Sequence, residues 1–182
     1  MSIKLIKHGI LLVTLTSMLG QATAGELTAD EKAKGWKLLF DGKTFDGWRN
    51  YKAEGVREGW KIEDGVMIHT KKGGDIMTVK QYENFELKLE WKIAEGGNSG
   101  IFFGAREVKG PIYRSGIEMQ ILDNAKHPDA KHEKHTAGAC YGLYKPPAGA
   151  AKKAGEWNQV RVVKKGDHYQ MCLNDVKTAD FK

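Results

Sequence analysis

Two polar side chains interrupt the otherwise apolar residues 117–122, and both are of types that can take part in chemistry. In a strand, Ile117, Met119 and Ile121 would face one side while Glu118 and Gln120 face the other, because side chains alternate along a strand. A carboxylate can act as an acid or base, and a carboxamide can orient a substrate through hydrogen bonds. This polar face is either the solvated side of an antiparallel sheet or the lining of a polar groove.

A conventional glycosidase needs a second carboxyl group close to the first. Asp123 is the obvious partner of Glu118. A five-residue offset along a strand separates the two by about 16 Å and places them on opposite faces. Only a bulge or a sharp turn would bring them together, so the sequence supports a two-carboxylate mechanism weakly.

The loop at residues 123–135 contains three histidines among aspartate and glutamate residues. Such donors suit a divalent ion, for which we consider Mn²⁺, Ca²⁺ or Zn²⁺, with His127 and Asp123 as candidate ligands. The spacing does not match a structural zinc motif. The alternative is a solvated loop in which Asp and Asn side chains cap turns and Pro128 fixes the path.

The elements that must position these residues are mostly strands. Residues 85–93 alternate strictly between apolar and charged, and Asp64-Gly65 between two apolar runs predicts a hairpin with a type I′ turn. One short helix is expected at residues 27–34, with Thr28 as its N-cap. Many short strands with glycine-rich turns predict an all-β fold, an antiparallel β-sandwich or jelly roll.

The N-terminus has the pattern of a cleaved signal peptide. Lys4 and Lys7 precede an apolar run, and Ala22-Thr23-Ala24 provides small residues for cleavage after Ala24. We therefore expect a periplasmic or secreted protein without a membrane anchor, in which residues 25–182 form a single domain. The oxidising compartment would permit a disulfide between Cys140 and Cys172, although both lie in apolar contexts that suit free buried thiols.

The net charge of +6 does not indicate a nucleic-acid-binding protein. Basic residues are interleaved with acidic ones along the chain, whereas nucleic acid binding needs a clustered basic surface.

Several sequence blocks, in this order, resemble the 3-keto-disaccharide hydrolase family, long known as domain of unknown function 1080. The blocks are residues 39–48 (LFDGKTFDGW), 84–91 (NFELKLEW), 97–103 (GNSGIFF), 116–124 (GIEMQILDN), 137–142 (AGACYG) and 156–158 (EWN). The resemblance implies a concanavalin A-like fold of two antiparallel sheets, one of which is concave and cradles carbohydrate.

Two departures from the family pattern stand out. Gly104 and Ala105 separate the Ile-Phe-Phe block from Arg106, which commonly follows it directly in the family. The sequence also ends at Lys182, before the strands that usually close the family's domain, so we expect the closing strands to be absent. Unpaired strand edges would follow from that absence.

The resemblance implies cleavage of the glycosidic bond of a 3-keto-glycoside by removal of the C2 proton, β-elimination and hydration. One base suffices, with an acid for the leaving group. Resemblance and strand parity together assign the catalytic roles to Glu118, His135 and Asp123. They assign sugar binding to Asn98, Gln120, Glu90, Arg106, Trp48 and Tyr141.

Two other functions stay open at this point. The same fold also serves lectins, so the chain could be a carbohydrate-binding module without catalysis. It could also be an ordinary two-carboxylate glycoside hydrolase. Loss of turnover when Glu118 is substituted would argue against the binding module, and cleavage of an unoxidised glucoside would indicate the ordinary hydrolase.

Overall fold

The structure is a computed structural model that describes residues 3–6, 26–70 and 72–182. Its regular elements, in chain order, are β1 (Ile3–Ile6), α1 (Ala29–Ala33), β2 (Trp36–Leu38), β3 (Trp48–Asn50), β4 (Trp60–Glu63), β5 (Val66–His69), β6 (Ile76–Thr78), β7 (Phe85–Trp91), β8 (Asn98–Phe103), β9 (Ile117–Leu122), β10 (Asn158–Lys165), β11 (His168–Leu173) and β12 (Val176–Phe181). Single 3-10 turns lie at Ile112–Arg114, Pro128–Lys131 and Glu133–His135. The predicted all-β class is confirmed.

One layer is an antiparallel sheet of six strands in the order β12-β11-β10-β7-β1-β2. The alternation predicted for β7 is confirmed, since Leu87 and Leu89 are buried while Lys88 between them is exposed. Val160 and Val162 of β10 lie in register beside Leu89 and Leu87 and are also buried. One face of the sheet is therefore an apolar surface that must be covered by a second layer.

The second layer is built from two-stranded antiparallel pairs, β3 with β6, β4 with β5 and β8 with β9. The β4–β5 hairpin has the predicted turn, because Asp64 and Gly65 both have positive φ, 49° and 73°, as a type I′ turn requires. Met119 of β9 and Met67 of β5 join the same buried cluster as Leu89 and Val162. The two layers thus share one core, as in an antiparallel β-sandwich.

A short segment, residues 138–141, pairs with β9 on the side opposite to β8. Gly138 N donates to Gln120 O at 2.8 Å, Gln120 N to Ala139 O at 3.0 Å, and Tyr141 N to Glu118 O at 3.0 Å. Met119 and Cys140 form an antiparallel bridge in this segment. Residues 138–141 therefore add a few paired residues alongside β9.

The predicted N-terminal helix is confirmed as α1. Thr28 is its N-cap and accepts a hydrogen bond from Glu31 N at 3.1 Å, while the Glu31 carboxylate accepts one from Thr28 N at 2.9 Å. This is a capping box, which satisfies two backbone donors that the first helical turn leaves unpaired.

Most of the predicted signal peptide, residues 1–2 and 7–24, lies outside the described residues. Of this segment only β1 is described, and it pairs with β2 on one side and β7 on the other. Cys140 and Cys172 are both free thiols in the structure. In the part of the chain that the structure describes, no helix is both long and apolar enough to cross a bilayer.

Candidate functional site

Glu118 lies in the middle of a row of three side chains that crosses the β8–β9 sheet. Phe102 of β8 is its direct partner in the register, and Tyr141 is the opposite residue on the other side of β9. Directly opposed residues of antiparallel strands share a face, so all three side chains lie on the face opposite to buried Met119. Glu118 thus lies on the predicted face of the strand, opposite to Met119, and its side chain is half-buried.

The Glu118 side chain leans across the neighbouring strand onto Gly100. A Cβ atom at position 100 would lie 2.9 Å from Glu118 Cδ and 3.0 Å from its Cγ, and closer still to Oε1. Real Cβ contacts of this kind do not occur without a shift of one partner. The absence of a side chain at Gly100 therefore makes the space in which this carboxyl group lies.

The pKa of Glu118 is raised to about 7. Burial is the main cause, because it penalises the charged form, and the negative charges of Asp129 and Asp75 add to it, while His135 acts in the opposite direction. A carboxyl group with this pKa exists in both protonation states near neutral pH. It can therefore accept or donate a proton during a reaction, which is a common property of active-site carboxyls.

Beside Glu118, three side chains form a connected group. The Tyr141 hydroxyl donates to Asp129 Oδ2 at 2.9 Å, and Nδ1 of His135 lies 2.9 Å from Asp129 Oδ1. The His135 ring stacks on the Tyr141 ring with 4.2 Å between centroids and 15° between planes. The structure thus brings together Glu118, His135 and Tyr141, three of the predicted site residues, and adds Asp129 to them.

Asp123, predicted as catalytic, has a different environment. Its side chain is only 3% exposed. Oδ2 accepts a hydrogen bond from Gly96 N at 2.7 Å and Oδ1 accepts one from Ala125 N at 3.0 Å, and these bonds lower its pKa. These contacts connect the β7–β8 turn to the loop after β9, so the structure does not bring Asp123 into the group around Glu118.

The two predicted metal ligands have other partners within the protein. His127 uses Nδ1 to accept a hydrogen bond from Asp129 N at 3.2 Å, and both oxygens of Asp123 are bound to backbone N–H groups. Among the described residues there is no group of three or more His, Cys, Asp or Glu side chains arranged to hold a metal. His127 and Asp123 therefore bind backbone N–H groups of turns, and we derive no reaction step through a metal.

Of the predicted sugar-binding residues, Gln120 and Asn98 lie on the same face as Glu118 but in different surroundings. Gln120 is 2% exposed, and its Oε1 accepts from Ile121 N at 3.2 Å, so it lies beneath the surface. Asn98 is exposed at the start of β8, four register pairs away from the Phe102–Glu118 pair. Along the strand this separates Asn98 from the Glu118 row by about 13 Å.

The other three predicted sugar-binding residues lie apart from the group. Glu90 points away from the core on the six-stranded sheet, where it accepts a hydrogen bond from Gln159 Nε2 at 3.1 Å. Trp48 is half-buried against the core, and its indole N–H donates to Leu39 O. Arg106 is exposed in the loop after β8, with its backbone bound to the Ser115 hydroxyl at 3.0 Å and 2.8 Å.

Two important residues of this site were not predicted from the sequence, Asp129 and Gly100. Asp129 is one of several acidic residues in a polar loop, and only the path of the 3-10 turns Pro128–Lys131 and Glu133–His135 brings it to His135. Gly100 could have been suspected, because glycine inside a strand often marks a close approach of another group.

Comparison with known proteins agrees with this arrangement of strands. The model of a family described as the 3-keto-alpha-glucoside-1,2-lyase-like domain matches residues 35–182. A 3-keto-disaccharide hydrolase of Bacteroides thetaiotaomicron is 37% identical to this chain, over 83% of the chain and 60% of the relative. The chain thus spans three-fifths of the length of that relative.

Solved structures with the same fold come from Parabacteroides distasonis and are described provisionally as glycosyl hydrolases. One has a TM-score of 0.81 and 34% identity, over 87% of this chain and 76% of the other. A second has a TM-score of 0.62 and 30% identity, over 74% and 71% of the two chains. Because the family model covers residues 35–182, most of the sequence, the chain belongs to the family of 3-keto-alpha-glucoside-1,2-lyase-like domains.

Proposed function

We propose that this protein cleaves the glycosidic bond of 3-keto-glycosides, including 3-keto-disaccharides, with Glu118 as the base. The observation on which the proposal depends is the half-buried Glu118 carboxyl, with a pKa of about 7, next to the connected group of Asp129, His135 and Tyr141. Membership of the family and the name of the Bacteroides thetaiotaomicron relative support this substrate class.

The ketone at C3 makes the reaction feasible with one base. It acidifies the C2–H bond, because the electrons left behind are delocalised onto the ketone oxygen. Ionised Glu118 removes the C2 proton, and the enolate then expels the C1 oxygen to form a double bond between C1 and C2. His135 in its imidazolium form delivers a proton from Nε2 to the departing oxygen, which completes the elimination and leaves the ring neutral with its other proton on Nδ1.

Hydration of the resulting enone restores both side chains. Water adds at C1, the β-carbon of the enone, and gives a proton to Nε2 of His135. The proton held by Glu118 returns to C2. The net result is hydrolysis of the glycosidic bond, whereas release of the enone before water adds would make the same chain a lyase.

Neither Asp123 nor Asp129 suits the second carboxylate of an ordinary two-carboxylate hydrolase. Asp123 already binds Gly96 N and Ala125 N, and Asp129 already binds His135 and Tyr141, so neither is an unengaged nucleophile near Glu118. An ordinary glycosidase needs its second carboxylate free to attack the sugar or to activate a water.

The test is a reaction followed by NMR in D₂O, with a 3-keto-glucoside and its parent glucoside as substrates. We expect aglycone release from the ketone alone, with deuterium at C2 of any hydrated sugar, and the same rate with EDTA or added Mn²⁺. Glu118→Gln should abolish release, whereas Glu133→Gln, an exposed change in the adjacent loop, should not affect it.

Other outcomes would contradict the proposal. Cleavage of the parent glucoside at a similar rate would indicate an ordinary hydrolase. Sugar binding without turnover, in a chain shown to be folded by a cooperative thermal transition, would indicate a binding module. Loss of activity with EDTA would show that a metal takes part in the reaction.

We also propose that the protein is exported through its N-terminal segment and acts in the periplasm or outside the cell. Mass spectrometry of the protein from cell fractions tests this, and we expect a chain that begins at Gly25 in the periplasm or medium. Such a chain would lack β1, so the edges of β7 and β2 that β1 pairs with would be open to another strand. Recovery of the uncleaved chain from the cytoplasm would contradict the proposal.

A further inference from the structure

Asp129 connects two side chains of the site, His135 and Tyr141. Its Oδ1 lies 2.9 Å from Nδ1 of His135, and its Oδ2 accepts from the Tyr141 hydroxyl at 2.9 Å. Its backbone N–H donates to Nδ1 of His127 at 3.2 Å. One carboxylate thus connects two side chains that arrive from different parts of the chain.

We propose that Asp129 is the positioning residue of this site, which holds His135 and Tyr141 as one unit beside Glu118 and keeps the proton of neutral His135 on Nδ1. The inference deepens the function proposed above, on which it rests for the role of His135.

Which nitrogen of the neutral His135 ring carries the proton follows from the ionisation of Asp129. The pKa of Asp129 is lowered, chiefly by its hydrogen bond with His135, so the carboxylate is ionised near neutral pH. An ionised carboxylate only accepts hydrogen bonds, and the nitrogen 2.9 Å from it must therefore carry the proton. In neutral His135 this leaves Nε2 without a proton and able to accept one from the water that adds to the enone.

The placement of the ring depends on the same contact. His135 ends a single 3-10 turn, Glu133–His135, which by itself fixes the backbone but leaves the imidazole free to rotate. Asp129 holds one edge of the ring, and the Tyr141 ring lies parallel to its face at 4.2 Å. Tyr141 in turn is fixed by its backbone bond to Glu118 O at 3.0 Å. The unit is therefore attached directly to the strand that carries the base.

Asp129 also contributes to the charge around Glu118. The charged groups that act on Glu118 are Asp129 and Asp75, which raise its pKa, and His135, which lowers it. Removing the negative charge of Asp129 while keeping the size of the side chain removes one of the two repulsions. The Glu118 pKa should then decrease.

The experiment compares the full chain with Asp129→Asn, Asp129→Ala and the control Glu133→Gln. Long-range ¹H–¹⁵N NMR spectra of the imidazoles report the His135 tautomer without any need for substrate. We expect the Nδ1–H form in the parent and in Glu133→Gln, and a shift toward Nε2–H in Asp129→Ala. With the 3-keto-glucoside, kcat should fall about tenfold to hundredfold in Asp129→Ala, a part of the usual contribution of acid–base catalysis.

Asp129→Asn keeps the shape of the side chain and so separates charge from packing. In this variant the rise of kcat/KM with pH, which reflects ionisation of Glu118, should move to lower pH. A purely structural role of Asp129 would not produce this change. An unchanged His135 tautomer in Asp129→Ala, or an unchanged profile in Asp129→Asn, would overturn the proposal. A tautomer shift in a protein inactive on every 3-keto-glycoside would support the positioning role and contradict the proposed function.

Discussion

Glu118 of β9 occupies the space on β8 in which a side chain at Gly100 would begin. The carboxyl group is thus held between two strands rather than extended into solvent. Its burial is the main reason for its raised pKa. The chemistry of one residue therefore depends on the absence of a side chain at another, 18 positions earlier in the sequence.

The first prediction concerns Gly100→Ala. The added methyl group would collide with Glu118 Oε1 and push the carboxyl group outward, so kcat on a 3-keto-glucoside should fall by about tenfold or more, as expected when a catalytic group is displaced. Steady-state kinetics measures the effect. Ser99→Ala on the same strand is the matched control and should keep full activity, because Ser99 lies on the opposite face. Equal rates for Gly100→Ala and the parent would show that the position of Glu118 is not critical.

The second prediction is the pH dependence of activity. A base must be ionised to act, so kcat/KM should rise about tenfold per pH unit below the Glu118 pKa of about 7. The measurement is a kcat/KM profile from pH 5 to pH 9. A profile that has no rising part below pH 7 and only falls as the pH rises would mean that Glu118 acts in its protonated form, as the acid of an ordinary glycosidase does.

The sequence was enough to predict on which face of a strand each side chain lies, but not how deeply the side chain is buried. The alternation of β7, the turn at Asp64-Gly65 and the N-cap at Thr28 depend on residues close together in the chain, and all three are confirmed. The same local rule placed Glu118 and Gln120 on one face. It could not show that Gln120 would be covered to 2% exposure while Glu118 stays half-buried, because that depends on where distant segments pack.

The loop after β9 shows the same limit more strongly. Its residues suggested a metal site, because the sequence shows only that several His, Asp and Glu side chains lie close together in the chain. In the structure the side chains are engaged in turns, with His127 accepting from Asp129 N and Asp123 from Gly96 N. The pairing of Asp129 with His135 arises from the path of two 3-10 turns, which no periodic pattern encodes.

The third prediction is that Glu118→Gln stabilises the protein at high pH. The pKa of Glu118 is raised from 4.5 to about 7 on folding, so the folded state holds a proton that the unfolded state releases. Stability is therefore lost as the pH rises from 4.5 through 7. Glutamine carries no charge and avoids this loss, which we put at about 1–2 kcal/mol after allowing for solvent screening.

Thermal melting of Glu118→Gln and the parent at pH 4 and pH 8 measures this effect. The variant should melt a few degrees higher at pH 8, with the gain absent at pH 4. Glu133→Gln should show no such dependence on pH, because Glu133 is 76% exposed. The same difference at both pH values would mean that the Glu118 pKa is not raised by folding.

The fourth prediction separates a structural role of Asp123 from a catalytic one. Asp123→Ala removes the acceptors of Gly96 N and Ala125 N and leaves these donors without their partner, so the melting temperature should fall by several degrees at pH 7. The backbone bonds that lower the Asp123 pKa stabilise the fold above the ordinary value of 3.8. This contribution is lost as the pH falls through the still lower pKa of the folded state, so the difference from the parent should shrink in acid.

Kinetics below the melting transition complete this test. Asp123 is 3% exposed, and both of its carboxylate oxygens are bound to backbone N–H groups. Asp123→Ala should therefore keep most of the parent's kcat, and its kcat/KM should still rise with pH up to about pH 7, as in the parent. Asp123→Asn retains one acceptor oxygen, so its melting temperature should lie between those of the parent and Asp123→Ala. Its pH profile of kcat/KM should match that of the parent. An Asp123→Ala protein that melts like the parent but has lost turnover would instead place Asp123 among the catalytic residues, because only a direct part in the reaction would then explain the loss.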